Sequence, residues 1–186
     1  MKMPDVNVLV YAINPDSLHH APARRWLEQA FREPVGVGFA WNSLLGFLRL
    51  TTKRGVLPTT LSVEDALRFV DEWLSYPHAH ILNPADNHAT VLGRLLIGAG
   101  RGGNLVSDAH LAAIAIEHGA ILGTFDADFE RFAGLRFEHL AADAVHEDSL
   151  TRLKGSVLRF DDPLSPVDNG GHPNARPKRK RQKRFR

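Results

Sequence analysis

Along residues 3–140, short apolar runs alternate with stretches of helical periodicity, and this pattern constrains the chain more than anything else in it. The apolar segment at 3–13 is interrupted by Asp5 and Asn7, so Asp5 ends a short strand and caps a helix over Val6 to Ile13. Ala23, Trp26, Leu27 and Ala30 recur at helical spacing within His19 to Arg32, which Pro34 stops. Val35 to Ala40 reads as a buried strand. Asn42 to Thr52, with Leu44, Leu45, Phe47, Leu48 and Leu50, reads as a mostly buried helix. Ser62, followed three residues later by Asp65, starts a helix to Leu74. Ile81 and Leu82 make a brief strand, and Asn87 to Ala99 a helix closed by Gly98 and Gly100. Asn104 to His118 is the best-marked helix. Ser107 or Asn104 caps it, Leu111, Ile114 and Ala115 form its inner face, and Gly119 ends it. Ala120 to Thr124 is a strand, Asp126 to Phe132 a short helical turn, and Leu135 to Leu140 a last strand. Strands that alternate with helices predict an α/β fold on a mainly parallel sheet.

The net charge of +2 averages two unlike regions. Arg176 to Arg186 hold eight Lys or Arg and no acid, which leaves 15 basic against 21 acidic groups on residues 1–175. The body is therefore acidic, and its 44% hydrophobic content supports one ordinary core. From residue 161 the chain turns rich in Pro, Gly and Asn and ends in PKRKRQKRFR, a composition that buries no core. Residues 161–186 are expected to be disordered when unbound, and residues 141–160 to hold one further helix. There is no Cys, which removes disulfides and thiolate metal sites and fits a reducing cytoplasm. No apolar run approaches the roughly 20 residues of a membrane span. The first residues carry no signal-cleavage pattern, so a cytoplasmic protein without membrane contact is expected.

In a parallel sheet, ligands gather at the carboxyl ends of the strands. Asp5 follows the first strand, Asp126 and Asp128 follow the strand Ala120 to Thr124, and Asp108 opens the best-marked helix. Taken singly, each acid also fits a plainer role. Asp5 suits a helix cap, Asp108 a partner for the helix dipole, and Asp126 and Asp128 turn formers. If the central strands are neighbours, all four meet at one rim. Carboxylates brought together repel and raise one another's pKa, and a divalent cation removes that repulsion. Oxygen ligands without Cys or paired His favour Mg²⁺, with Mn²⁺ as a substitute, over Zn²⁺. Such a site suits phosphodiester hydrolysis, because the cation binds phosphate oxygens and acidifies the attacking water.

Asp5-Val-Asn7-Val-Leu-Val-Tyr-Ala resembles the opening of PIN domains, where the Asp is a metal ligand and the Asn a polar helper. Asn104-Leu-Val-Ser-Asp108-Ala-His-Leu resembles the third acidic motif of that family. Gly123-Thr124-Phe-Asp126-Ala-Asp128-Phe129 resembles its last motif, where the Thr and the first Asp face the site. Trp41 to Thr52 looks like a subgroup of the VapC toxins. The resemblance covers about residues 3–140. It implies a three-layer α/β sandwich with a central mainly parallel sheet over residues 1–140, and Mg²⁺-dependent endoribonuclease action on structured RNA. It also implies a cognate antitoxin and a homodimer. Carried over position by position, it makes Asp5, Asp108 and Asp126 catalytic metal ligands, with Asn7, Thr124 and Asp128 as auxiliaries.

One position departs from the family. PIN nucleases carry a Glu on the helix after the second strand, and here no acid occurs between Glu33 and Glu64. The equivalent place falls near Gly46, with Asn42 and Ser43 as the nearby polar groups. One firmly held cation on Asp5 and Asp108 is therefore expected, with Asp126 acting directly or through water and Asp128 compensating. Arg49 fits either an RNA phosphate contact or a solvated helix charge. His110, two positions past Asp108, is expected on the surface, and Arg101-Gly-Gly-Asn104 as a turn. The basic tail brings salt-sensitive, sequence-blind affinity for nucleic acid, or is an extension without a role of its own. Two other functions compete. One is a catalytically weakened RNA-binding module of the same fold. The other is a hydrolase of small phosphate esters, whose usual motif needs an Asp where Asn7 stands.

Overall fold

The computed structural model describes residues 1–100, 102–103 and 105–141. The helix expected within 141–160 (beyond residue 141), the tail 161–186, and two residues of the expected turn, Arg101 and Asn104, lie outside the described residues. The elements in chain order are β1 (Lys2–Pro4), α1 (Val6–Ala12), α2 (His20–Arg32), β2 (Val37–Ala40), α3 (Trp41–Thr51) and α4 (Val63–Leu74). They continue with β3 (Ala79–Leu82), α5 (His88–Ala99), α6 (Leu105–Glu117), β4 (Ile121–Thr124), a 3₁₀ turn (Ala127–Arg131) and β5 (Arg136–His139). Each expected element between residues 3 and 140 is present, with its ends moved by one or two residues.

The sheet has five strands in the order β3-β2-β1-β4-β5, every neighbouring pair parallel. The chain therefore lays β2 and β3 to one side of β1, then crosses to the other side for β4 and β5. That reversal makes the gap between the carboxyl ends of β1 and β4 the topological switch point, where open α/β sheets leave a crevice.

Both faces of the sheet are covered, as parallel sheets require. On one face Met3, Ala40, Leu82 and Leu122 pack with Val91 and Leu95 of α5 and with Ala112, Ile114 and Ala115 of α6. On the other, Val37 and Phe39 pack with α1, α2, α3 and α4 through Leu9, Leu27, Phe47 and Trp73. These layers give the three-layer sandwich that was expected. Alternation along each strand decides the side, so Phe39 and Ala40 face opposite layers. Among the described residues, no helix is long and apolar enough to cross a membrane.

Trp26 of α2 lies flat against β4 and is held there from both sides. Lys2 sits 5.3 Å above its ring and pairs with Glu33 (3.4 Å) and Glu138 (3.3 Å), while the indole N–H donates to Glu138. Gly123 allows this approach, because a Cβ there would stand 2.2 Å from Trp26 Cζ2.

Two local expectations are corrected. Of the two caps expected for α6, Ser107 is excluded, because that helix already begins at Leu105 and Ser107 is its third residue; the other, Asn104, lies outside the described residues. Gly98 lies within α5, and the closing residue is Gly100, in the left-handed region at φ +66°.

Gly123→Ala is expected to destabilise the fold by about 1–3 kcal/mol through overpacking against Trp26. A urea melt with an unchanged m-value and a lower midpoint checks this.

Candidate active site

The site begins with strand register. Pro4 pairs with Gly123 across β1 and β4, so the next residue on each strand, Asp5 and Thr124, meets the other at the carboxyl rim. Asp5 N–H donates to Gly123 O at 2.9 Å and carries the pairing one step beyond the ladder. The Asp5 side chain is only 6% exposed and uses both oxygens. Oδ1 accepts from Val6 N–H at 2.6 Å, which caps α1, and Oδ2 accepts from the Thr124 hydroxyl at 2.8 Å. The helix cap expected of Asp5 is formed, and the same carboxylate is tied to Thr124 at the rim.

Thr124, fully buried, is the hub of the cluster. Besides donating to Asp5, its Oγ1 accepts from Asn7 Nδ2 at 3.4 Å and from Asp126 N–H at 3.0 Å. Asn7 in turn accepts Phe125 N–H on its Oδ1 at 3.4 Å. Asp126 Oδ1 accepts Asp128 N–H at 2.8 Å and starts the 3₁₀ turn, which leaves the exposed Asp126 beside the buried pair. Asp128 points to solvent and pairs with Arg131.

Asp108 arrives from the first turn of α6 and is half-buried. Burial, then the charges of Asp5, Asp126 and Asp128, push its carboxyl up to about 7, with Arg131 opposing. Burial likewise pushes Asp5 up to about 6. The Thr124 and Val6 hydrogen bonds resist that rise, and the charge of Asp126 adds to it. The four acids from three distant segments thus lie within electrostatic reach of one another. Tyr11 belongs to the same neighbourhood, since burial and then the charge of Asp5 raise its hydroxyl.

As arranged, no three acidic or imidazole side chains among the described residues close into an ion-holding cluster. The donor set nevertheless fits a hard divalent cation. It consists of oxygen atoms, and burial first, with the neighbouring acids adding to it, disfavours the charged carboxylates in the absence of a cation. Asp5, Asp108 and Asp126 are the residues that would hold such an ion.

At the place of the missing Glu, a Cβ on Gly46 would meet Val6 Cγ2 at 2.9 Å, so a larger residue there requires the Val6 side chain to shift. Asn42, one turn earlier, reaches α6 instead: its Nδ2 donates to Ser107 Oγ at 3.2 Å and to Ser107 O at 3.4 Å. Ser43 is buried, and its hydroxyl finds no partner among the described residues. Arg49 is half-buried and forms no ion pair among the described residues.

The surface role expected for His110 is corrected. His110 is half-buried, and its Nδ1 lies 2.8 Å from His88 Nε2, while His88 Nδ1 lies 2.9 Å from Glu117 Oε1. The Glu117 side chain is 2% exposed and also accepts Ala85 N–H at 3.0 Å. Helical spacing places residues 110 and 117 on one side of α6, but nothing in it points to His88 on another helix.

The family model described as "PIN domain" matches residues 2–135. Ribonuclease VapC37 of Mycobacterium tuberculosis is 49% identical over 138 residues, which are 74% of this chain and 96% of that protein. Ribonuclease VapC43 of the same organism is 38% identical over 142 residues, 76% of this chain and 97% of that protein. Among solved structures, VapBC2 from Rickettsia felis bound to a promoter DNA fragment aligns with a TM-score of 0.56 at 23% identity, over 75% of this chain and 98% of that one. Mycobacterium tuberculosis VapC20, described as a sarcin-ricin loop cleaving toxin, aligns with a TM-score of 0.52 at 18% identity, over 73% and 99%. At these identities, the structural likenesses speak for the fold.

The raised carboxyls make stability depend on pH. Folded Asp5 and Asp108 hold their protons more tightly than the unfolded chain does, above the usual 3.8. Their contribution is therefore full below about pH 4 and is lost as pH rises through about 6 and 7. For Asp5 this amounts to on the order of 3 kcal/mol. Urea melts in chelator are expected to show the cation-free protein weakening from pH 4 to 7.5, and an Asp5→Asn, Asp108→Asn variant weakening less.

Proposed function

From the premise that this chain belongs to the PIN-domain family, among the VapC ribonucleases, we propose that it is a Mg²⁺-dependent endoribonuclease toxin that a cognate antitoxin holds silent. What supports the reading is that Thr124 fixes Asp5 at the switch point between β1 and β4, with Asp126 beside it and Asp108 near enough that both charges add to burial in raising its carboxyl. Mg²⁺, with Mn²⁺ as a substitute, would supply charge neutralisation at the scissile phosphate and a more acidic water. The chain's own residues do the rest. Thr124 and Val6 N–H lock the Asp5 carboxylate in one orientation. Asn7 and Thr124 hold the backbone from which Asp126 projects, and exposed Asp126 is placed to orient water. Arg49, one turn beyond Gly46 and without an ion-pair partner among the described residues, is the cation for an RNA phosphate.

RNA is the substrate in this reading, the cytoplasm the place of action, and a homodimer the working form. Exposed Trp41 and Leu45 on α3, and Val63 and Leu67 on α4, lie at i,i+4 spacing and give protein partners apolar surface. The place of the missing Glu, crowded by Val6, favours a second reading, an RNA-binding module with weakened catalysis.

Incubation of the full chain with total RNA and Mg²⁺ is expected to give discrete cleavages that chelator abolishes. Asp5→Asn and Asp108→Asn are each expected to slow cleavage by about 10²–10³-fold, as removal of a group stabilising transition-state charge does. Arg49→Ala is expected to raise KM more than it lowers kcat, the sign of lost uniform binding. RNA binding without cleavage by the wild type would select the module. Undiminished cleavage by both Asp variants would remove the site assignment.

A further inference from the structure

Residues 42, 46 and 49 lie on one stripe of α3, at i, i+4 and i+7. Gly46 on that stripe abuts Val6, the residue after Asp5, and Asn42 hydrogen-bonds Ser107, the residue before Asp108. One face of α3 thus touches both segments that carry the central acids. Among the described residues, the Asn42 amide makes the side-chain hydrogen bonds that join α3 to α6. It reaches both the hydroxyl and the carbonyl of Ser107, two points on the turn that carries Asp108. The Asn42 side-chain oxygen has no hydrogen-bond partner among the described residues. The group that α3 offers to this turn is thus a neutral amide, which adds no negative charge near the acids.

We propose that Asn42 is the positioning residue that aims Asp108 through Ser107. The inference rests on the acidic rim being the cleavage site. In a rim lacking the family's helix Glu, a neutral amide sets the geometry of the Asp108 turn. An alanine at position 42 leaves the Asp108 carboxylate in place chemically but frees the turn that aims it. The cation and the reacting phosphate then lose alignment, while RNA contacts elsewhere persist.

The test compares the full-length wild type with Asn42→Ala, Ser107→Ala and the double variant. Mn²⁺ binding is read by electron paramagnetic resonance without RNA. Cleavage is read on an oligonucleotide copied from a site cut in total RNA, and thermal melts accompany both. Each single variant is expected to weaken Mn²⁺ binding several-fold and to lower kcat about tenfold, with KM within twofold. The double variant is expected to be no worse than the singles, because the two residues act as one unit. Should Asn42→Ala fail to fold, Ser107→Ala, which installs a helix-favouring residue, decides the matter alone. Mn²⁺ affinity and kcat both within twofold of wild type, or losses that multiply in the double variant, would overturn the inference. A wild type that cuts no RNA would instead overturn the ribonuclease reading, and the Mn²⁺ measurements would still decide the role of Asn42.

Discussion

The parallel pairing of β1 with β4 in one register is the constraint on which the rest of this molecule depends. With Pro4 opposite Gly123, Asp5 and Thr124 are brought together at the point where both strands end. A slip of one residue would turn every side chain of the strand to the other face and separate this pair, whatever the two residues were. Register is secured from both layers: Met3 and Leu122 belong to the α5–α6 core, while Trp26 presses on Gly123 from the α2 side. Packing on both faces therefore fixes where a carboxylate and a hydroxyl meet.

Burial and charge then work against each other at the rim. Asp5 is held in a place that penalises its ionised form, and its hydrogen bonds offset only part of that penalty. Asp108 is penalised again by its acidic neighbours. A fold selected for stability alone would not gather these groups. The divalent cation proposed for this rim would relieve that cost, because a positive ligand favours the charged carboxylates.

The approach of α3 to α1 shows how packing and chemistry trade at one position. Val6 follows directly after Asp5 and fills the space beside Gly46. A side chain at 46 would require the Val6 side chain, next to Asp5, to shift, so room for another acid here comes at the cost of that contact. The polar function on that face is shifted one turn back to Asn42, where the distance to α6 suits an amide.

The strand and helix pattern was legible in the linear sequence because periodicity, caps and glycine stops are local. Asp5 before Val6, Ser62 before its helix and Gly100 after α5 each act within a turn of chain. The acids were legible for the same reason, each standing at an element boundary, and the order of the motifs supported the family resemblance. Ser107 looks like a cap in the sequence but is not one, because helix starts depend on their surroundings as well as on residue type. His110 looks exposed but is not, because its partner, His88, lies on another helix. Contacts between distant segments leave no local signal. The Thr124 hub, the Asn42 tie to Ser107, the closeness of Val6 to Gly46, and the burial of Glu117 were decided by tertiary structure alone. Each depends on which strand lies beside which and on how closely two helices approach, and those are properties of the packed chain.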